Sequence, residues 1–171
     1  MTGTQMVVCG LGGQGILFLS RLVGEAARIT GQEAIASETH GMSQRGGAVD
    51  SHVKIGPYRG SLVRRGHADV AFALDASRET SARAFLRAGG ACFVDATAAP
   101  ANGSRWIDAA SVAREVGNTR GSNLVLLGFA AACVPDLFPP REALLQAVEA
   151  LSPPPFRGSN RDAFLEGEKR A

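Results

Sequence analysis

Cysteine, aromatic side chains and long apolar runs are all scarce in this chain. Only three of its 171 residues are cysteine, and Cys9, Cys92 and Cys133 stand far apart with no C-x-x-C pair. Iron–sulfur clusters and zinc ribbons need closely spaced thiolates, so these three cysteines build neither. Each lies in an apolar run, which suits a small buried hydrophobe. No apolar stretch reaches the roughly 18 residues that a membrane span needs. The first residues, Met1-Thr-Gly-Thr-Gln5, lack the basic and apolar regions of a secretory leader, so cytoplasmic residence is the expectation. A net charge of +2 with no basic tail argues against nucleic-acid binding.

Glycine, by contrast, is plentiful at 21 residues, and much of it falls in two segments. The rest of the composition, 45% hydrophobic and 20% charged, is that of a globular protein, and the length fits one domain spanning residues 1–171. Met6-Val-Val-Cys9 reads as a buried strand stopped by glycine. From Gly15 the period changes to helical: Ile16, Leu19, Leu22, Val23, Ala26, Ala27 and Ile29 form one apolar face, and Gly31 ends it as a C-terminal cap. Ala34-Ile-Ala36 is the second strand, with Glu38 at its end.

From Ala48 to Ile55, Val49, Ser51, Val53 and Ile55 alternate with Asp50, His52 and Lys54, which predicts a strand with one wet face. Tyr58 to Val63 is expected to return as its hairpin partner, making the sheet mixed. Ala68 to Leu74 is a buried strand, followed by a helix from Ala76 to Leu86 that Gly89-Gly90 breaks. Ala91 to Val94 and Trp106-Ile107 read as further strands, and Asp108 caps a helix through Val116. After a polar loop, Asn123 to Cys133 is an uncharged helix, with internal placement favoured over partial docking. Pro139-Pro140 opens another helix carrying Leu144, Val148 and Leu151 on one side. Pro153-Pro-Pro155 predicts an extended spacer, and Arg161 to Lys169 a last helix. Alternating strands and helices give an α/β class: a three-layer α/β/α sandwich, Rossmann-like, with a mixed sheet.

The first glycine segment, Gly10-Leu-Gly12-Gly13-Gln14-Gly15, joins strand to helix and satisfies G-x-G-x-x-G. Its residues admit three readings: a tight turn without ligand, an anion site at a positive helix end, or a dinucleotide site with Glu38 on the ribose. Gln14 inside the motif is unusual for the last. No Gly-Lys-Ser/Thr follows, which excludes a Walker-type phosphate loop. The second segment, Thr39-His40-Gly41-Met-Ser-Gln-Arg45-Gly46-Gly47, lies between two strands. Arg45 offers a planar fork to a carboxylate or phosphate, or a structural ion pair. His40 is an acid–base group or a hydrogen-bonding loop residue. The later run Lys54, Arg59, Arg64, Arg65 and His67 would suit phosphates such as those of CoA, although a solvated basic edge is the stronger reading.

Together the two segments resemble the small, gamma-type subunits of 2-oxoacid:acceptor oxidoreductases, in their indolepyruvate branch. Val49-x-Ser-His-Val53, Asn123 with Leu127-Gly128, and Asn160-x-x-Ala-Phe164 with Gly167 extend the likeness over nearly the whole chain. The resemblance implies a complex that decarboxylates a 2-oxoacid oxidatively and passes electrons to ferredoxin, with CoA as cosubstrate. It implies that thiamine diphosphate, magnesium and iron–sulfur clusters belong to a larger catalytic partner chain, with no cofactor bound by this chain alone and no catalytic residue on it. Gly10, Gly12, Gly13, Gln14, Gly15, His40, Gly41, Arg45, Gly46 and Gly47 are then the candidate binding residues; pairing of two copies stays open. The competing readings are an independent NAD(P)-binding reductase, which lacks a Tyr-x-x-x-Lys set here, and a stand-alone small-molecule-binding domain.

Overall fold

A computed structural model describes residues 3–40 and 47–171, with His40 described by its backbone alone. The chain forms one six-stranded mixed sheet: β1 (Thr4–Leu11), β2 (Ala34–His40), β3 (Ala48–Ile55), β4 (Ala68–Ala73), β5 (Leu86–Asp95) and β6 (Arg105–Ile107). The helices are α1 (Ile16–Ile29), α2 (Glu79–Arg83), α3 (Ala109–Glu115), α4 (Ser122–Cys133), α5 (Arg141–Leu151) and α6 (Arg157–Glu168). In space the strands run β2-β3-β1-β4-β5-β6. Only β3 is antiparallel to its neighbours, pairing with β1 on one side and β2 on the other. The ends of β1, β2, β4 and β5 and the start of β3 therefore lie along one edge.

Alternation in the strands loads both faces of the sheet. Met6, Val8, Val53, Val70, Phe72 and Phe93 face the helices α1 and α3–α6, which form one large core. Val7, Cys9, Ala71, Ala73, Cys92 and Val94 face a far thinner layer containing Ala82 of α2 and Val63. The helix α1 is amphipathic as its spacing requires, although Ile29 is exposed. It ends on Gly31 at φ 74°, whose N–H donates to Arg28 O while that of Gln32 reaches Ala27 O. That pair of bonds satisfies the last carbonyls and explains the glycine. The expected internal helix is α4, buried from Asn123 to Ala131.

The helix α4 crosses α6 at backbone contact. A Cβ at Gly128 would overlap Phe164 O, and one at Gly167 would overlap Val125 O. Asn160 fixes the start of the same crossing: its Nδ2 donates to Ser152 Oγ at 2.8 Å, and its Oδ1 accepts from Asn118 Nδ2 at 2.8 Å.

Several expectations are corrected. Tyr58 to Val63 is not a strand, and the sheet is mixed because β3 pairs between β1 and β2. The side of β3 expected to be wet is buried, because residues 57–67 cross it as an irregular strap. His52 is 3% exposed there; its Nδ1 accepts the Val63 N–H at 3.3 Å and its ring meets the edge of Phe85. The helix expected from Ala76 to Leu86 is a 3-10 turn (Ala76–Arg78) and the five-residue α2. Leu86 already belongs to β5, and Gly89-Gly90 lies inside that strand, where the register to β4 shifts. Gly89 takes φ 75° and Gly90 lets the chain pass Ala68 O, so these glycines form an irregularity in a strand instead of ending a helix. Pro154–Phe156 is a 3-10 turn instead of an extended spacer, so α6 begins at Arg157 and Leu151 is exposed.

Two stability measurements follow. Gly128→Ala or Gly167→Ala is expected to cost at least about 1–3 kcal/mol in chemical denaturation, because backbone must move. Gly24→Ala, whose Cβ would meet nothing, is expected to gain up to about 1 kcal/mol through helix propensity. Equal effects at the three sites would contradict the crossing described. Burial, opposed by Asp50 and assisted by Lys54, holds the His52 imidazole below its usual 6.5. The unfolded chain then binds the proton first, so this contribution is complete above pH 6.5 and is lost as pH falls from 6.5 down through the lower value of the folded state. Wild-type stability is expected to drop below pH 6.5 by up to about 1.4 kcal/mol per pH unit. In His52→Gln the slope in that window should flatten; an unchanged slope would remove His52 as its source.

Candidate functional site

Three chain segments converge at the edge where β1 and β4 end. The helices following these two parallel strands lie on opposite faces of the sheet, with α1 on the thick side and α2 on the thin one. Such a divergence opens a crevice, the usual ligand position in open α/β sheets. Here the crevice is bridged. Gln14 Oε1 accepts the Leu11 N–H at 2.7 Å, and Gln14 Nε2 points to Asp75 Oδ2 at 3.5 Å. Leu74 N–H donates to Cys9 O at 2.9 Å just beneath.

Three N–H groups of the glycine loop are bonded within the chain. Beyond the Leu11 N–H, that of Gly12 goes to Gly47 O at 3.0 Å and that of Gln14 to Leu11 O at 3.2 Å. Gly15 enters α1 at φ 78°, and a Cβ there would overlap Asn123 Nδ2, which donates to Gly15 O at 3.2 Å. Gly15 and Asn123 therefore fasten α1 to α4. A side chain on Gly10 would press on Gln14 and Ile16. Gly13 differs: it has φ 98°, is exposed, and a Cβ would meet nothing within 4 Å.

Charges beside the loop oppose a phosphate. Asp75 accepts from both the Ser77 N–H and hydroxyl, which hold its carboxyl below the usual carboxylate range and so keep it charged. Asp50, opposite Cys9 in the register, is bridged to Arg78 at 3.1 Å. Burial first, then Asp50, pushes the Cys9 thiol well up, so it stays protonated; burial also raises Cys92. Neither thiol is poised for redox or ligand chemistry. Among the described residues no group of three His, Cys, Asp or Glu is placed to hold a metal, and the cysteines do not fit a cluster.

The dinucleotide reading also fails on topology. In that site the ribose-binding acid ends the strand next to β1. Here β3 lies between, so β2 and Glu38 stand two strand spacings, about 10 Å, from β1. Glu38 is exposed and pairs in register with Ser51, with β2 continuing to His40.

Of the second segment, the His40 backbone pairs with Val49, and Gly47 meets Gly12. Gly41, Arg45 and Gly46 lie outside the described residues. The structure thus joins the two glycine segments at Gly12 and Gly47 and adds Asp50, Asp75 and Arg78, none of which was singled out from sequence. Asp75-Ala-Ser77 after a strand was a legible signal, since an aspartate two residues before serine forms such a turn. Of the basic run, Lys54 is buried over the Tyr58 ring, while Arg59, Arg64, Arg65 and His67 are exposed.

Removal of the Gln14 amide tests the clasp. Gln14→Ala leaves the Leu11 N–H without its partner and is expected to cost about 1–3 kcal/mol in denaturant unfolding. A change below a few tenths would show that the loop holds itself without it.

Comparison with known proteins identifies the family. The family model of the pyruvate ferredoxin/flavodoxin oxidoreductases matches residues 5–169. An indolepyruvate oxidoreductase subunit IorB of Archaeoglobus fulgidus is 44% identical over 81 residues, 47% of this chain and 40% of that one. The protein of the same name from Pyrococcus horikoshii is 31% identical over 97% of this chain and 95% of its own. The keto/oxoacid ferredoxin oxidoreductase gamma subunit of Geobacter sulfurreducens superimposes with a TM-score of 0.81 at 29% identity, covering 98% of each chain. The chain belongs to the pyruvate ferredoxin/flavodoxin oxidoreductase family, in the form of its small gamma-type subunits.

Proposed function

We propose that this chain is the small subunit of a 2-oxoacid:ferredoxin oxidoreductase that acts on indolepyruvate or a related arylpyruvate. The observation that carries this reading is a glycine loop in which the N–H groups of Leu11, Gly12 and Gln14 are taken up by its own chain, set on a family fold matched over residues 5–169. Such a loop supports the reading of a shaped contact surface over that of a nucleotide cradle. Thiamine diphosphate, magnesium and iron–sulfur clusters belong to a larger partner chain, which supplies decarboxylation and electron transfer to ferredoxin with CoA as cosubstrate.

The part played by this chain is positional. Gly12 and Gly13 present the exposed backbone turned to the partner's active site, in a loop shaped by Gly10, Gln14 and Gly15; His40, Gly41, Arg45, Gly46 and Gly47 are assigned to the same binding function. Gly13, exposed with open space over it, is where the partner's backbone or CoA approaches most closely. Residence of the complex in the cytoplasm accords with helices of which, among the described residues, none is long and apolar enough to cross a membrane.

Co-expression with the large thiamine-dependent chain, followed by CoA-dependent dye reduction with aryl and aliphatic 2-oxoacids, tests the reading. The complex is expected to turn over arylpyruvates, and this chain alone to turn over none. Gly13→Asn, a residue that tolerates positive φ, should change stability by less than about 1 kcal/mol yet lower activity at least about tenfold. Turnover by the isolated chain, or full activity in Gly13→Asn, would contradict the proposed face.

A further inference from the structure

The two faces of the sheet are covered very unequally. Five helices close one; the five-residue α2, one 3-10 turn and the strap of residues 57–67 close the other. The strap is held firmly. Val63 is buried with its N–H on His52 Nδ1, Gly66 N–H donates to Ala84 O, and Arg65 lies over the Phe85 ring at 5.9 Å. What this rigid segment shows outward is cationic with an apolar centre. From Gly56 to His67 the sequence holds three arginines and no acid. Leu62 between them is 55% exposed, more than any other large hydrophobic residue on the described surface.

Arg28, Arg78, Arg87, Arg141, Arg161 and Arg170 each pair with a carboxylate. Arg59 and Arg64 have no such partner among the described residues, a state they share with Arg21 and Arg120; what sets them apart is a segment without an acid and the exposed Leu62 between them. An exposed leucine flanked in sequence by arginines on a pre-organised backbone offers an apolar contact beside the arginine that interfaces favour. A phosphate ligand would have no use for the leucine, and a second copy would bring like charges together.

Resting on the function proposed above, we infer that the strap of residues 57–67 docks an acidic surface of the larger catalytic chain, with Leu62 as the apolar anchor and Arg59 and Arg64 as the charge contacts. The thin face is then covered in the complex by the partner, which supplies the missing layer. This surface lies away from the edge that bears the glycine loop.

The test uses the full-length chain and the co-expressed large chain, with affinity measured at about 50 mM and about 500 mM salt. Charge reversal in Arg59→Glu/Arg64→Glu is expected to weaken binding at least tenfold at low salt, with the difference shrinking at high salt. Leu62→Ser should weaken it about fivefold at both. Arg21→Glu/Arg120→Glu, exposed elsewhere, should change it less than twofold. Thermal unfolding within about 2 °C of wild type certifies each fold; should the double strap variant unfold, Arg64→Gln replaces it, with about threefold expected. Equal binding by strap and control variants overturns the inference while leaving the proposed function intact. So does an intact complex in which only ferredoxin reduction or binding of adenosine 3′,5′-bisphosphate is lost. Failure of the wild-type chain to bind the large chain overturns the proposed function, and the strap assignment with it.

Discussion

The placement of β3 between β1 and β2 is the constraint on which the rest of this molecule depends. A strand–glycine loop–helix–strand unit ordinarily lays its second strand directly beside the first, bringing an acidic residue to a bound ribose. Here the chain turns back after His40 and β3 takes that position, pairing through eight residues with β1 and seven with β2. Gly47, at the entry to β3, is thereby delivered to the end of β1, where its O receives the Gly12 N–H. The two glycine segments meet at that bond.

The same insertion shapes the electrostatics. Asp50 arrives on β3 opposite Cys9, brings Arg78 to it, and leaves Asp75 as the charged carboxylate facing Gln14. A pyrophosphate would meet carboxylates and a loop whose Leu11, Gly12 and Gln14 N–H groups are already bonded. A protein surface meets exposed glycine backbone.

Much of the fold was legible because local rules and tertiary demands agree. The helical face of α1, its Gly31 cap, the Asp108 cap of α3 and the apolar run of α4 were all readable at the level of period and cap chemistry. Legibility failed where tertiary contacts overrode local pattern. Alternation on β3 implied water on one side, but His52 is covered by a strap that sequence gives no means of placing. Gly89-Gly90 carried a breaker signal, and only pairing with β4 makes it part of a strand. The fingerprint at Gly10–Gly15 was correctly located, yet nothing local reveals that Gln14 fills it or that Gly15 is glycine because of Asn123, more than a hundred residues away. The weak matches at Gly128, Asn160 and Gly167 proved to describe one helix crossing, which spacing alone does not announce.

Calorimetric titration of the purified chain with NADH addresses the central claim most directly. With Gln14 seated in the loop and β3 separating Glu38 from β1, no saturable binding tighter than about 1 mM is predicted. A micromolar dissociation constant that weakens on Glu38→Ala would show that the loop opens to a dinucleotide and would contradict the account.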